Sequence, residues 1–310
     1  MNTAELRSTN ARAYLFLTFT ALCFGANTTL AKLAVGEVSP MMVVALRWLL
    51  VAALLVVFSS RTLIRDWPNL KPHLGFLFAM GALGFATFNA LLYTAAHHTT
   101  AINMGIISGM LPVFVLVGVL MVYQTPVGGL QWLGTGVTLA GVALVASAGD
   151  IERLFGLSLN KGDMFIVLAA MVYAGYTVGL RRRPASSAIA LFAVLAASAF
   201  LASLPMVAAE AWLGEFQMPT LRGWGVIVLV ALFPSFLAQM TFIKGVEIIG
   251  PGRAGIFVNL VPVFGAAIAV VFLGEQFHVY HGIALALVLG GIWIAERGVK
   301  AAPTQNTAEP

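Results

Sequence analysis

Asn89 and Gln239 are carboxamides 150 residues apart, each inside a long apolar stretch that holds no charged residue. Such groups cost free energy in hydrocarbon unless they are hydrogen-bonded, so they mark either interhelical bonds or a polar cavity. At helical spacing Asn89 shares a face with Phe85 and Tyr93, and Gln239 shares one with Ser235. Faces of this kind can hydrogen-bond and stack a small amphipathic solute. Tyr173, Tyr176 and Thr177 form a further stripe, beginning about ten residues, or roughly 15 Å, inside the nearest outer boundary. That depth is too great for interfacial anchors, which leaves core packing or solute contact. Asn27, Thr28, Asn103, Ser108 and Asn259 are further candidates for lining a binding site, and none suffices alone.

Arg47 lies about seven residues inside its apolar segment, where a charge costs about 2.5–3.5 kcal/mol on insertion scales. Arg47 and Lys32 read either as an outer-mouth charge cluster with Glu37 or as partners for a carboxylate on a bound solute. No Asp or Glu falls in the interior of any apolar segment, which disfavours a cation pump. Histidines titrate in a useful range, but His97, His98, His278 and His281 stand at segment ends. The single cysteine, Cys23, excludes an internal disulfide and paired thiols. The short connections carry no Asp, Glu and His cluster, so no catalytic residue, metal or cofactor is expected, and a lipid-modifying enzyme finds no support.

These residues must be positioned by helices in a bilayer. Of 310 residues 60% are apolar and 9% charged, too few charges to cover a water-soluble fold, whose usual share is about 25%. Breakers and charges divide the chain into ten apolar segments: 13–34, 40–58, 73–95, 100–121, 129–147, 163–180, 187–208, 223–243, 252–273 and 279–296. The first is longer than a secretory apolar core and reads as a retained helix. With the N-terminus inside, inner connections and tails hold twelve of the 17 Lys and Arg and outer connections four, a bias that places both termini in the cytoplasm. The net charge of +5 thus reads as membrane orientation, with no nucleic-acid partner.

The two halves match at a shift near 150. Leu111-Pro-Val-Phe114 recurs as Val261-Pro-Val-Phe264, and Gly105-Ile106 as Gly255-Ile256. Five crossings per half force the second half to enter from the opposite face, so the expected fold is all-α integral membrane, ten transmembrane helices as two inverted five-helix repeats. The expected organisation is a 1–12 tail, repeats at 13–149 and 162–297, an outer connection at 150–161 and a disordered 298–310 tail. Inverted repeats build two mirror-related conformations around a midplane site, the architecture of many secondary transporters that work by alternating access. Pro112 and Pro262 are expected mid-helix, as paired kinks or hinges. Gly105 and Gly109 allow close helix approach, within the chain first and in a homodimer as the minor reading.

The ten-helix pattern, Ser39-Pro40 to Leu46-Arg47-Trp48, the paired Pro-Val-Phe segments and Leu273-Gly274-Glu275 resemble the EamA branch of the drug/metabolite transporter superfamily over residues 12–297. The resemblance implies a bacterial inner-membrane metabolite exporter, including exporters of amino acids, in a fold similar to that of nucleotide-sugar carriers. It also implies a cavity lined by the first, third, fourth, sixth, eighth and ninth helices. Gln124-Thr125 stands where the second repeat has Gly274-Glu275, a departure that argues against a symmetric role for Glu275. The expected partners are a small-molecule solute and the lipid bilayer. The rival readings are a nucleotide-sugar or phosphate-ester carrier, which needs several inward-facing bases, and a non-transport integral membrane protein.

Overall fold

A computed structural model describes residues 3–124, 127–150, 160–249, 254 and 257–297. The 298–310 tail lies outside the described residues, as does most of the 150–161 connection. Helices and helical turns account for all regular structure among the described residues. The first half comprises α1 (Thr3–Ala34), α2 (Pro40–Leu70), α3 (Leu74–Gly81), α4 (Phe88–Ala96), α5 (Ala101–Ser108), α6 (Leu111–Tyr123) and α7 (Gly129–Ala146). The second comprises α8 (Lys161–Gly179), α9 (Ala188–Trp212), α10 (Leu221–Val230), α11 (Ala238–Ile249), α12 (Val261–Leu273) and α13 (Val279–Arg297). Wider π-helical turns at Ala82–Thr87 and Ala231–Leu237 join α3 to α4 and α10 to α11.

Two helices outrun their apolar segments. Helix α1 begins at Thr3 and α2 continues to Leu70, because polar residues end the match to lipid without ending backbone hydrogen bonding. Among the described residues seven helical runs are long and apolar enough to cross a membrane, with Val261–Leu273 and Val279–Ala295 as shorter apolar helices. One run, Pro40–Ala96, has 57 residues, about 85 Å of helix against a hydrocarbon core of about 30 Å. It folds back at the Lys71–His73 turn. Arg47 and Asn89, 42 residues apart, hydrogen-bond at 2.7 Å, whereas a straight helix would hold them roughly 63 Å apart.

Three pairs of repeat-related elements run antiparallel, which is the geometric signature of inversion. Helices α7 and α13 pack so closely that a Cβ on Gly291 would fall 2.6 Å from Gly134 O, while one on Gly141 would fall 2.8 Å from Ala284 O. Ascending numbers on one helix thus meet descending numbers on the other. Helices α2 and α9 pair the same way, Met41 lying near Glu210 and Asp66 near Ser187. In the third pair Ala101 meets Glu275, and Gly105 meets Gly265 with an added Cβ 3.9 Å from its Cα. Gly109 faces Val288 and Pro262, so both glycines of that motif are engaged within the chain. The α1 contacts with α11 and α12 are mirrored by those of α8 with α4 and α6, as a pseudo-twofold axis requires.

Orphan amides at helix starts are met by carboxylates from the ends of neighbouring helices. The Glu275 oxygens accept Ala101 N–H (2.8 Å) and Ile102 N–H (2.9 Å). Glu210 Oε1 accepts Met41 N–H at 3.1 Å, and Asp66 Oδ2 accepts Ser187 N–H at 2.7 Å, so α2 and α9 cap each other. Glu37 receives the Thr220 hydroxyl and lies 3.6 Å from Arg222 Nη1. Lys32 donates instead to Ala96 O at 2.7 Å. Lys32, Glu37 and Arg47 therefore form no common cluster, since each is bound to a different element.

Glu275→Ala strands two helix-start amides, and the expected cost is about 2 kcal/mol, read as a lower unfolding midpoint in detergent. Single thiols in place of exposed Lys71 and Arg182 are expected to label from the same compartment and one in place of Glu215 from the other, Cys23 being buried at 3% exposure. Labelling of Lys71→Cys and Arg182→Cys from opposite sides would contradict the inverted arrangement.

Candidate functional site

Each half contains a helix broken at the same place. Helix α5 ends at Ser108, the chain turns through Gly109 and Met110, and α6 restarts at Leu111 with Pro112 in its first turn. In the second half Asn259 and Leu260 form the turn and Pro262 sits in the first turn of α12. Tight i to i−3 bonds close both turns, from Met110 N to Ile107 O and from Leu260 N to Phe257 O, each at 3.0 Å. The expectation of mid-helix kinks is corrected here. A proline in a first helical turn lacks an N–H that would have been unpaired anyway, so these prolines start half-helices and do not disrupt continuous ones.

The π-helical turns are a second matched pair. Pro234 cannot donate to Val230 O, and Ser235 Oγ donates to that carbonyl instead at 2.7 Å. Gly84 stands at the equivalent position of the first half, where the ring of Tyr176 packs against it at 2.5 Å from an added Cβ. Each turn delivers a polar side chain one helical turn later, Asn89 in one half and Gln239 in the other.

Breaks and wide turns surround one cavity of about 240 Å³. Of the candidate residues, Asn27, Thr28, Arg47, Asn89, Ser108, Tyr173, Ser235, Gln239, Asn259, Pro112 and Pro262 line it. Arg47 is 4% exposed and holds the polar end together. Its Nε donates to Ser235 Oγ at 2.6 Å. Its Nη1 meets Asn27 Oδ1 at 3.1 Å, Asn89 Oδ1 at 2.7 Å and Tyr93 OH at 3.0 Å. Asn89 is fixed in turn by donation from Nδ2 to Phe85 O at 2.6 Å. Among the described residues no carboxylate forms an ion pair with Arg47.

The other candidates lie outside the wall. Tyr93 reaches the site only through Arg47. Tyr176 is buried behind it, tilted on Phe85 at 5.4 Å. Thr177 Oγ1 donates to Tyr173 O at 2.9 Å, within its own helix. Asn103 belongs to the first turn of α5, where its N–H is capped by Thr100 Oγ1 at 3.1 Å. Spacing cannot separate these cases, because a helical stripe is wider than the cavity it meets.

Apart from Phe85 and Tyr173, an aromatic wall escapes the sequence reading. Trp48 stacks on Phe85 with centroids 4.6 Å apart and planes at 7°, and Phe192 stands edge-on to both. Phe24 and Phe88 complete it, Phe88 against Tyr173 at 5.0 Å. The Arg47 guanidinium lies 5.2 Å from the Trp48 ring centroid. Trp48 carries a signal in its adjacency to a buried base, but Phe192 sits in the unbroken apolar run that opens α9 and gives none.

With the geometry in place, the chain can be set beside known proteins. Its sequence matches the EamA-like transporter family over residues 11–147 and 160–296, one match per half. It is 29% identical over 301 residues to the uncharacterized transporter YyaM of Bacillus subtilis, covering 96% of this chain and 97% of that protein. It is 26% identical over 291 residues to YetK of the same organism, also an uncharacterized transporter, covering 91% and 86%. The uncharacterized inner membrane transporter YedA of Escherichia coli is 23% identical over 295 residues, covering 93% and 92%. One solved crystal structure superposes with a TM-score of 0.62 at 18% identity, covering 92% of this chain and 96% of that one, a likeness of fold. Two tandem family matches spanning nearly the whole chain place this protein in the EamA-like transporter family, as a multi-pass membrane transporter.

Proposed function

We propose that the protein is a secondary transporter that binds a small carboxylate-bearing metabolite, an amino acid or a related acid, in the central cavity and exposes it alternately to the two sides of the membrane. Export across the bacterial inner membrane, with both termini in the cytoplasm, is the direction and setting we assign. The inner-membrane description of YedA and the charge bias of the connections support that setting.

The observation that carries the substrate reading is Arg47. A buried guanidinium held by four neutral acceptors has no carboxylate partner among the described residues, and a solute carboxylate would supply a counter-ion inside a low-dielectric site. The cavity, about 240 Å³, is smaller than the roughly 300–1,000 Å³ of drug-sized ligand sites, which suits a metabolite. Among the described residues Arg47 is the one basic residue in the wall, whereas a phosphate-ester or nucleotide-sugar cargo calls for several.

Alternation draws support from the paired breaks at Gly109–Met110 and Asn259–Leu260. Half-helices meeting at a turn can tilt separately, and their equivalence in inverted halves gives two related conformations of similar energy.

Uptake and counterflow of labelled carboxylates in proteoliposomes test this reading. Arg47→Gln keeps an amide for the neighbouring side chains and removes the charge. Its expected effect is at least a tenfold loss of flux, about 1.4 kcal/mol or more, with the protein still inserted in the membrane. Arg47→Lys, which restores a charge without the planar fork, is expected to recover part of that loss. Carboxylate flux unchanged in Arg47→Gln would sink the substrate assignment.

A further inference from the structure

The charge in the cavity wall is one-sided. On Arg47 and its neighbour Trp48 the unused hydrogen-bonding capacity is in donors: none of the four Arg47 bonds uses Nη2, and Trp48 Nε1 is buried without an acceptor among the described residues. The nearby carbonyl oxygens of Asn27 and Asn89 already accept from Arg47. Among the described residues no Asp or Glu lines the wall: its further polar groups, Thr28, Ser108, Tyr173, Gln239 and Asn259, are neutral, and Trp48, Phe85 and Phe88 give it an aromatic face.

An α-amino acid brings its ammonium group within about 4 Å of its carboxylate oxygens. A carboxylate seated on Arg47 would therefore hold that ammonium close to a like charge, with repulsion strengthened in a poorly solvated site. The Trp48 face, the natural cation-π partner for an ammonium, already has the Arg47 guanidinium over it at 5.2 Å. A second carboxylate on the solute would find no base, since Lys32 lies outside the wall and is tied to Ala96 O.

We propose that the site selects an apolar monocarboxylate without an α-ammonium group, its carboxylate on Arg47 Nη2 and its body against the Trp48–Phe85–Phe88 wall. This rests on the carboxylate reading above and narrows it, from amino acids and related acids to the related acids alone.

Four probes on one skeleton separate the charges: 3-phenylpropionate, L-phenylalanine, 3-phenylpropionamide and phenylsuccinate. Binding to the full-length protein in detergent is read by ligand-induced thermal shift, and flux by counterflow in proteoliposomes. The expected result is that 3-phenylpropionate binds and exchanges at least tenfold more tightly than L-phenylalanine or phenylsuccinate, with the amide inactive. L-Phenylalanine equal to or tighter than 3-phenylpropionate would overturn the selection while leaving the carboxylate reading intact. An amide as effective as the acid, or no binding by either monocarboxylate, would overturn both.

Discussion

A cation buried in a membrane protein without an anion is the constraint around which this molecule is arranged. Arg47 lies on α2, yet its acceptors come from α1, from α4 and from the wide turn before α11, so a single side chain ties the first half to the second. Neutral oxygens meet the protons of Nε and Nη1, and no carboxylate among the described residues pairs with its charge. Removing one member of such a buried group is expensive, of order 3–5 kcal/mol, because the rest stay desolvated and unpaired. On the reading proposed above, the same arrangement is what draws an anion into the cavity.

The acidic residues explain why that anion is not supplied by the protein. Where the first amides of a helix are buried against a neighbour, water does not reach them and each must find an acceptor. Asp66, Glu210 and Glu275 are spent at those positions, each on a helix other than its own, and Glu37 is engaged by Thr220 and Arg222. Acids hold the ends of the bundle and one base holds its middle. The α2–α9 caps are reciprocal, whereas the sequence position equivalent to Glu275 in the other half is Thr125, which carries no carboxylate.

Much of the site was legible before any coordinates. Asn89, Gln239 and the proline pair stand out because polar or helix-breaking residues in apolar segments are costly and because they recur at one shift. The π-helical turns were not read, although Gly84 and Pro234 also recur at that shift. A glycine and a proline look unrelated as residue types and share only the weakening of a helical hydrogen-bond ladder. Asn103, Tyr176 and Thr177 read as wall residues from spacing, because periodicity identifies a face without saying what lies opposite.

Composition and the internal repeat by themselves determine that the chain lives in a membrane, is helical, and has two related halves of opposite sense, because those properties follow from summed apolar length and crossing parity. Which polar groups meet is decided only by the fold. Arg47 could have joined Glu37 near a surface, and nothing in the order of residues forbids it. Helix packing turned it towards Asn27, Asn89, Tyr93 and Ser235, up to 188 residues away in the chain. Contacts between distant segments depend on crossing angles and register, which no local pattern encodes.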